Sequence, residues 1–263
     1  TFLYNQRMEI TMETQFSRTE RILGREFIER LSSCRVAIFG VGGVGGYVME
    51  SLVRSGIGCI DIVDNDTVAL SNLNRQIIAT HSSIGENKVD VAEARAKDIN
   101  PEIIVNKHNV FYLPDSDYEF DFASFDYIVD AIDTVSAKLA LIEKAHEHGV
   151  PIISAMGCGN RFDPTKLVVT DIYKTEMDPL AKVMRKELKK RGIKKLKVVY
   201  STEEPIKPMD FDEDGQKIMA SSQVAAAGQT RAKSVPGSTA FVPSAAGLII
   251  ASQVAFDLTK DLR

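Results

Sequence analysis

Cysteine is scarce in this 263-residue chain, and the three present, Cys34, Cys59 and Cys158, stand apart with no C-x-x-C pair. That spacing excludes a disulfide scaffold and a cysteine-rich structural zinc site, and it suits a reducing cytosol. An excess of positive charge is missing too. The formal net charge is −4, so no global basic field draws nucleic acid, and any such contact must come from a local patch. The polar opening TFLYNQRMEITMETQFSRTER lacks the apolar core of a secretory leader, and residues 1–17 are expected to form a flexible tail. Long hydrophobic runs are lacking as well. The uncharged stretch from Ser234 to Phe256 is broken by Pro236, Gly237, Pro243 and Gly247, and its apolar centre, GLIIASQVAF, is too short to span a bilayer. A buried helix over about 243–258 is expected instead, in a cytoplasmic protein without a membrane span. No internal repeat is visible.

What is present is a 44% hydrophobic chain long enough to fill a substantial core. From Arg35 it alternates strand and helix patterns. A strand over VAIFG, a helix from Gly45 to about Ser55 and a strand over CIDIVD come first. A helix over about 86–99 follows, stopped by Asn100-Pro101 because proline disfavours helical geometry in the residue before it. The strands IIVNKHNVF and FDYIVDAID, the helix SAKLALIEKAHEH closed by Gly149, and the strand PIISAM complete the series. Short β-branched runs without polar alternation suit a parallel sheet covered on both faces. The order implies a Rossmann-like, doubly wound α/β fold.

After about residue 160 the rhythm changes. A strand over LVVTDIY leads to a helix punctuated by Asp178 as N-cap, Pro179 at its first position and Gly192 past its end. Leu180, Val183, Met184 and Leu188 are expected on its buried face. Residues 203–237, rich in Pro, Asp, Gln, Ser and Gly, read as a long loop.

The stretch FGVGGVGG carries the first chemistry. Gly40, Gly42 and Gly45 match G-x-G-x-x-G, with Gly43 inside the turn. Such glycines let the backbone approach a phosphate, while the following helix offers unpaired N–H groups and a positive dipole end. Asp64 ends the second strand, where dinucleotide-binding folds place the acid that grips a ribose. To this point a dehydrogenase fits equally well. The next residues, NDTVALSNLNRQ, decide otherwise, with Asp66, Asn72, Asn74, Arg75 and Gln76 in quick succession. A nicotinamide slot is flat and dry, whereas a site that breaks a triphosphate needs cations and donors around developing charge. Arg75 offers a planar fork for phosphate oxygens. Lys88 supplies a second cation, and Asp133, expected at the end of the fourth strand, could hold Mg²⁺ bridging phosphates.

The run GVGGVGG…DNDTVALSNLNRQ…K…DAIDT resembles the ThiF/MoeB-like superfamily related to ubiquitin-activating enzymes, whose members adenylate a carboxylate with ATP. The resemblance implies one adenylation domain over 18–263, with a nucleotide-binding core at about 34–160 and a substrate- and tRNA-facing part at about 161–263. It implies Gly42 in the nucleotide loop, Asp64 on the ribose, Arg75 and Lys88 on phosphates, and Asp133 with Mg²⁺. Asp66, Asn72 and Gln76 would shape the site. ATP, Mg²⁺ and a monovalent cation are the cofactors it suggests. FSRTERILG is similar to the segment that sends an arginine into the partner's site in homodimers of this superfamily, with Arg18 the first choice and Arg21 the second.

The segments GNRFDPTKLVVTDIYKTEMDPLAKVMRKELKKRGI, VVYSTEEPIKP and PGSTAFVPSAAGLIIAS resemble the tRNA threonylcarbamoyladenosine dehydratase branch. That branch implies a modified tRNA as substrate and a sulfur-transfer protein as a further partner. The alternative within the superfamily is adenylation of the C-terminus of a ubiquitin-like or sulfur-carrier protein. Its transfer cysteine has one candidate, Cys158. From Lys182 to Lys197 there are nine lysines and arginines and one acid, Glu187. Lys182, Arg185, Lys186, Lys189, Lys190 and Lys194 are therefore the expected tRNA contacts, through salt-sensitive phosphate binding.

Overall fold

The computed structural model of the chain describes residues 13–113, 118–211, 217–218 and 236–262. Most of the expected N-terminal tail, and residues 212–216 and 219–235 of the expected loop, lie outside them. The strands are β1 (Arg35–Phe39), β2 (Cys59–Val63), β3 (Ile104–His108), β4 (Tyr127–Asp130), β5 (Ile152–Ala155), β6 (Leu167–Asp171) and β7 (Lys197–Ser201). They form one sheet in the order β3-β2-β1-β4-β5-β7-β6. Every pairing is parallel except that of β6 with β7, which closes one edge antiparallel.

The helices are α1 (Ser17–Leu23), α2 (Arg25–Ser32), α3 (Gly45–Arg54), α4 (Lys88–Ile99), α5 (Val135–Glu147), α6 (Pro179–Lys190) and α7 (Val242–Leu258). The strand period of two sorts side chains between the faces. Val36, Ile38, Ile60, Ile62, Tyr127 and Val129 pack with α2, α3, α4 and α7. Ala37, Phe39, Val63 and Ile128 face α5 and the aromatic cluster of Tyr112, Phe122 and Phe125. Beyond them, Val198 and Tyr200 of β7 meet Met184 and Leu188 of α6.

Several boundaries differ from expectation. Ser17 already opens α1, so the helical chain starts inside the expected tail. The helix expected over 86–99 begins at Lys88. In α6 the buried positions are Ala181, Met184 and Leu188, while Val183 is 45% exposed. The small Ala181 lets the helix settle on the sheet along that row. β7 was not anticipated, because VVYS runs straight into the polar, proline-containing TEEPIKP. The C-terminal part thus extends the sheet by two strands as well as packing α7 on it. Within the expected loop, residues 210–211 pair with 217–218.

α7 is apolar nearly all round, and its inner side lies tight against α3. A Cβ added at Gly247 would stand 2.5 Å from the Val44 carbonyl oxygen and 2.7 Å from Tyr47 Cβ. This contact locks the C-terminal helix to the turn that carries the glycines. No helix among the described residues is long and apolar enough to cross a membrane.

Candidate active site

β1 ends at Phe39, and Gly40 turns the chain with φ +90°, a conformation side chains rarely adopt. A Cβ there would press 2.7 Å from the Ala131 carbonyl oxygen. Gly45 has a packing role: a Cβ would fall 1.8 Å from the Gly40 oxygen, so helix and turn touch backbone to backbone. Gly40, Gly42 and Gly43 line a cavity of about 860 Å³, whereas Gly45 does not reach it. That volume sits near the top of the roughly 300–1,000 Å³ range of small-ligand clefts. The cavity opens at the carboxyl ends of β1 and β4, where the strand order reverses and open α/β sheets bind ligands.

Asp64, immediately past β2, pins the turn. Its Oδ2 accepts from the Val41 N–H at 2.8 Å and its Oδ1 from the Asp66 N–H at 2.9 Å. Each oxygen keeps a lone pair for a ribose hydroxyl. Asp66 in turn holds Lys88: the Lys88 N–H donates to the Asp66 carbonyl, and Nζ lies 2.7 Å from Asp66 Oδ2 and 3.7 Å from Asp64 Oδ1. Lys88 is only 5% exposed, so its ammonium is a largely desolvated charge on the cavity wall.

Asn72 spends its Oδ1 on the Ala69 N–H, closing the short 3₁₀ turn Leu70–Asn72. That turn delivers Arg75, whose Nη1 donates to the Ser71 carbonyl at 2.8 Å and to Asn74 Oδ1 at 2.9 Å. Asn74 does not line the cavity; its Nδ2 donates to the Ser238 carbonyl and ties this wall to the C-terminal part. Gln76 is buried, lines the cavity and has no hydrogen-bond partner for Oε1 among the described residues. An orphaned acceptor of this kind fits a ligand that brings a donor, as a nucleotide's amino or hydroxyl groups do.

β4 stops at Asp130, three residues before Asp133. The chain leaves the sheet there because Asp130 turns inward. It accepts from Lys138 Nζ at 3.0 Å and from the Ser154 hydroxyl, and Nζ also donates to the Ile132 carbonyl at 2.9 Å. Both ionic groups are completely buried. This pair shapes the loop that sets Asp133 exposed at the cavity's lip. One exposed carboxylate fits Mg²⁺ only together with phosphate oxygens, which is the usual way that ion is held. Among the described residues no group of three or more His, Cys, Asp or Glu side chains is placed to hold a metal by itself.

Further lining comes from the loop after β5, the start of α6, and Pro236 to Ser238. Cys158 lies in that loop, and burial, helped by the negative charge of Asp178, pushes its thiol up to about 12. A thiol so far above neutrality is a poor nucleophile, which argues against Cys158 as a transfer cysteine in this arrangement. Asp178 caps α6 as expected, accepting from the Ala181 N–H at 2.8 Å. It also lines the cavity beside the buried Arg161, and sequence reasoning missed both residues as parts of the site.

Other expected contacts sit elsewhere. Arg18 is exposed on α1 and does not line its own chain's cavity. Of the basic residues, Lys182, Lys186, Lys189 and Lys194 are exposed. Arg185 is half-buried, and its Nη1 donates to the Thr175 carbonyl and hydroxyl. Lys190 is paired with Glu187 at 2.7 Å.

Fold and site together define a nucleotide-binding α/β protein whose cavity brings Arg75 and Lys88 to the wall that carries the glycine turn. The chain belongs to the ThiF family, whose model matches residues 16–254. It is similar to tRNA threonylcarbamoyladenosine dehydratase of Bacillus subtilis (strain 168), with 44% identity over 249 residues, covering 94% of this chain and 96% of that one. Its structure is similar to that of Escherichia coli tRNA N6-threonylcarbamoyladenosine dehydratase in complex with AMP. The TM-score is 0.80 at 29% identity, with 94% of this chain and 95% of that one covered. The same enzyme in complex with ATP gives a TM-score of 0.78 with the same identity and coverage.

Proposed function

We propose that this chain is an ATP-dependent tRNA threonylcarbamoyladenosine dehydratase acting through an acyl-adenylate. The observation that carries this reading is the 44% identity to a dehydratase across nearly the whole of both chains, including the part beyond residue 160. The carboxylate of the threonylcarbamoyl group attacks the α-phosphate of ATP, and pyrophosphate leaves. The neighbouring carbamoyl group then attacks the activated carbonyl, AMP leaves, and a five-membered ring closes with net loss of water from the nucleoside. Ring closure is intramolecular, so proximity supplies much of the rate and no protein nucleophile is required. That agrees with the buried, protonated Cys158.

In this chemistry Gly42 and Gly43 let the phosphates approach the backbone, and Asp64 holds the ribose. Arg75 and Lys88 stabilise charge gathering on the departing pyrophosphate. Asp133 would hold Mg²⁺, which neutralises phosphate charge. Lys88 exchanges part of its contact with Asp66 for phosphate oxygens. The reading also includes a monovalent cation, a homodimer with Arg18 or Arg21 crossing to the neighbouring site, a sulfur-transfer partner and a cytoplasmic location.

The tRNA is placed against the outer face of α6. Exposure of Lys182, Lys186, Lys189 and Lys194 supports this. Changing Lys186, Lys189, Lys190 and Lys194 to Glu should weaken tRNA binding by about tenfold or more at low salt and leave ATP binding intact. Unchanged tRNA affinity in a filter-binding titration would remove the patch from the model. The activity itself is tested by pyrophosphate release from ATP with threonylcarbamoyladenosine-containing tRNA, compared with a sulfur-carrier protein as acceptor. Release that needs the carrier and ignores the tRNA would overturn the reading.

A further inference from the structure

The loop after β5 is stapled from several sides. The Gly157 N–H donates to Asp178 Oδ2 at 3.1 Å. Asn160, with φ +58°, accepts from the Gly237 N–H at its Oδ1 and from the Ile206 N–H at its carbonyl, and its own N–H donates to the Gly237 carbonyl. Glu203 receives the N–H groups of Phe162 and Asp163. Arg161 sits between these anchors, and its position is therefore set by the backbone on both sides.

Arg161 is 2% exposed and lines the cavity. Neither Nε nor Nη1 has a hydrogen-bond partner among the described residues. The nearest acid, Asp178, stands 3.6 Å from Nη2, beyond hydrogen-bonding distance. Both Asp178 oxygens already receive backbone N–H groups, from Ala181 and Gly157. Arginine stays charged in proteins and presents five donors. A buried cation is costly unless it is paired and hydrogen-bonded, and truncating such a group leaves its partner uncompensated. A desolvated guanidinium fixed on a cavity wall with donors unbonded is a site for an anion. Lys88 and Arg75 come with the glycine turn, whereas Arg161 reaches the cavity from the separate loop after β5, which favours a second group over the triphosphate as its anion.

We infer that Arg161 holds the carboxylate of the acid to be adenylated, in a subsite bounded by Gly157, Asn160 and Asp178. The inference rests on the proposed function, which requires a carboxylate to be brought to the α-phosphate. The guanidinium takes the carboxylate out of water by charge-assisted hydrogen bonds and holds it within the nucleotide's cavity. Asp178 limits the net positive charge, so the carboxylate is held without being trapped as a tight ion pair. Arg161 acts here in binding and orientation and takes no proton.

The test pairs a change in protein with a change in ligand, using the full chain and a non-hydrolysable ATP analogue. Binding is measured for an anticodon stem-loop RNA carrying threonylcarbamoyladenosine and for the same RNA with the threonyl carboxylate converted to the carboxamide. Wild-type protein should prefer the acid by about tenfold or more, the scale of a hydrogen bond to a charged group. Arg161→Gln should bring that preference close to one, with affinity for the ATP analogue unchanged. Arg161→Lys should keep only part of it, because the cation remains and the planar fork is lost. Should Arg161→Gln fail to fold in a thermal melt, Arg161→Lys decides. A wild-type preference retained in the variants, or absent from the wild type, overturns the assignment. Wild-type protein is also assayed for ATP-dependent loss of water from the acid RNA. If it makes no dehydrated product, the proposed function fails and takes the subsite with it. If it does, and the variants discriminate as fully as wild type, only the role of Arg161 is lost.

Discussion

On one wall of the cavity Lys88 is neutralised by Asp66 at 2.7 Å and by Asp64 at 3.7 Å. On the other, Arg161 has one acid at 3.6 Å and two nitrogens without partners among the described residues. Both cations are nearly withdrawn from solvent. The first wall is therefore balanced within itself, and a phosphate must displace a carboxylate to reach Lys88. The second keeps donors ready. In the proposed reaction the first wall would serve the group that is consumed and the second the group that is to be activated.

The sharpest way to break this division is on the first wall. Arg75→Ala should lower turnover by about 10²–10³-fold, the scale of losing one oriented donor to transition-state charge. Its melting temperature should stay close to wild type, since among the described residues the Arg75 side chain donates to Ser71 and Asn74 within its own turn. Wild-type turnover in steady-state kinetics would place the phosphate cation elsewhere.

Gly247→Ala tests the joint between the walls. The new methyl would collide with Val44 and Tyr47, the residues that carry the glycine turn. Overpacking of this kind costs about 1–3 kcal/mol, seen as a fall in thermal stability, and weaker ATP binding by calorimetry should accompany it. Lower stability with wild-type ATP affinity would show that α7 does not position the turn.

Asp61→Asn probes a buried network that belongs to neither wall. Burial would raise the Asp61 pKa, but hydrogen bonds from Arg35, His108 and Asn106 outweigh it and bring it from 3.8 to about 2. A depressed carboxyl stabilises the fold above its unfolded value and loses that contribution as pH falls from 3.8 toward 2. The stability gap between wild type and Asp61→Asn in urea unfolding should thus shrink by about 2 kcal/mol between pH 5 and pH 2. A gap that does not change with pH would contradict the assignment. ATP affinity at neutral pH should be unaffected.

The smallest effect is expected from Cys158→Ala, on the second wall. With its thiol held near 12 by burial, turnover should change by less than about twofold. A large loss would bring back a covalent route.

The two walls also differ in how far they could be read from sequence. The first is carried by a nearly contiguous stretch from Gly40 to Lys88, whose spacing on strand, turn and helix places its groups by local geometry alone. Even there, the charge balance of Lys88 with Asp66 needed the structure, because it depends on the DNDT segment meeting the start of α4. The second wall draws on three segments spread over about eighty residues, which meet through the pairing of β5 with β7, the seating of α6 and the hydrogen bonds between Asn160 and Gly237. Asp178 was legible as a helix cap, since Asp-Pro before an apolar row is a local signal, but its place beside Arg161 was not. Arg161 itself gave one clue, a lone cation among GCGN and FDP, which no spacing tied to the glycine turn. Val183 was misjudged because its spacing from Leu180 and Leu188 fits a buried row as well as the true one through Ala181. The buried pair Asp130–Lys138 was overlooked for a related reason: an acid ending an apolar strand attracts notice as a ligand, not as a partner eight residues on.

The most direct measurement of the central claim is the mass of the modified nucleoside released from tRNA after incubation with this chain and ATP. The account predicts a threonylcarbamoyladenosine lighter by one water, formed only when ATP is present and lost with Arg75→Ala. An unchanged nucleoside, with ATP instead consumed to adenylate the C-terminus of an added ubiquitin-like carrier protein, would contradict it.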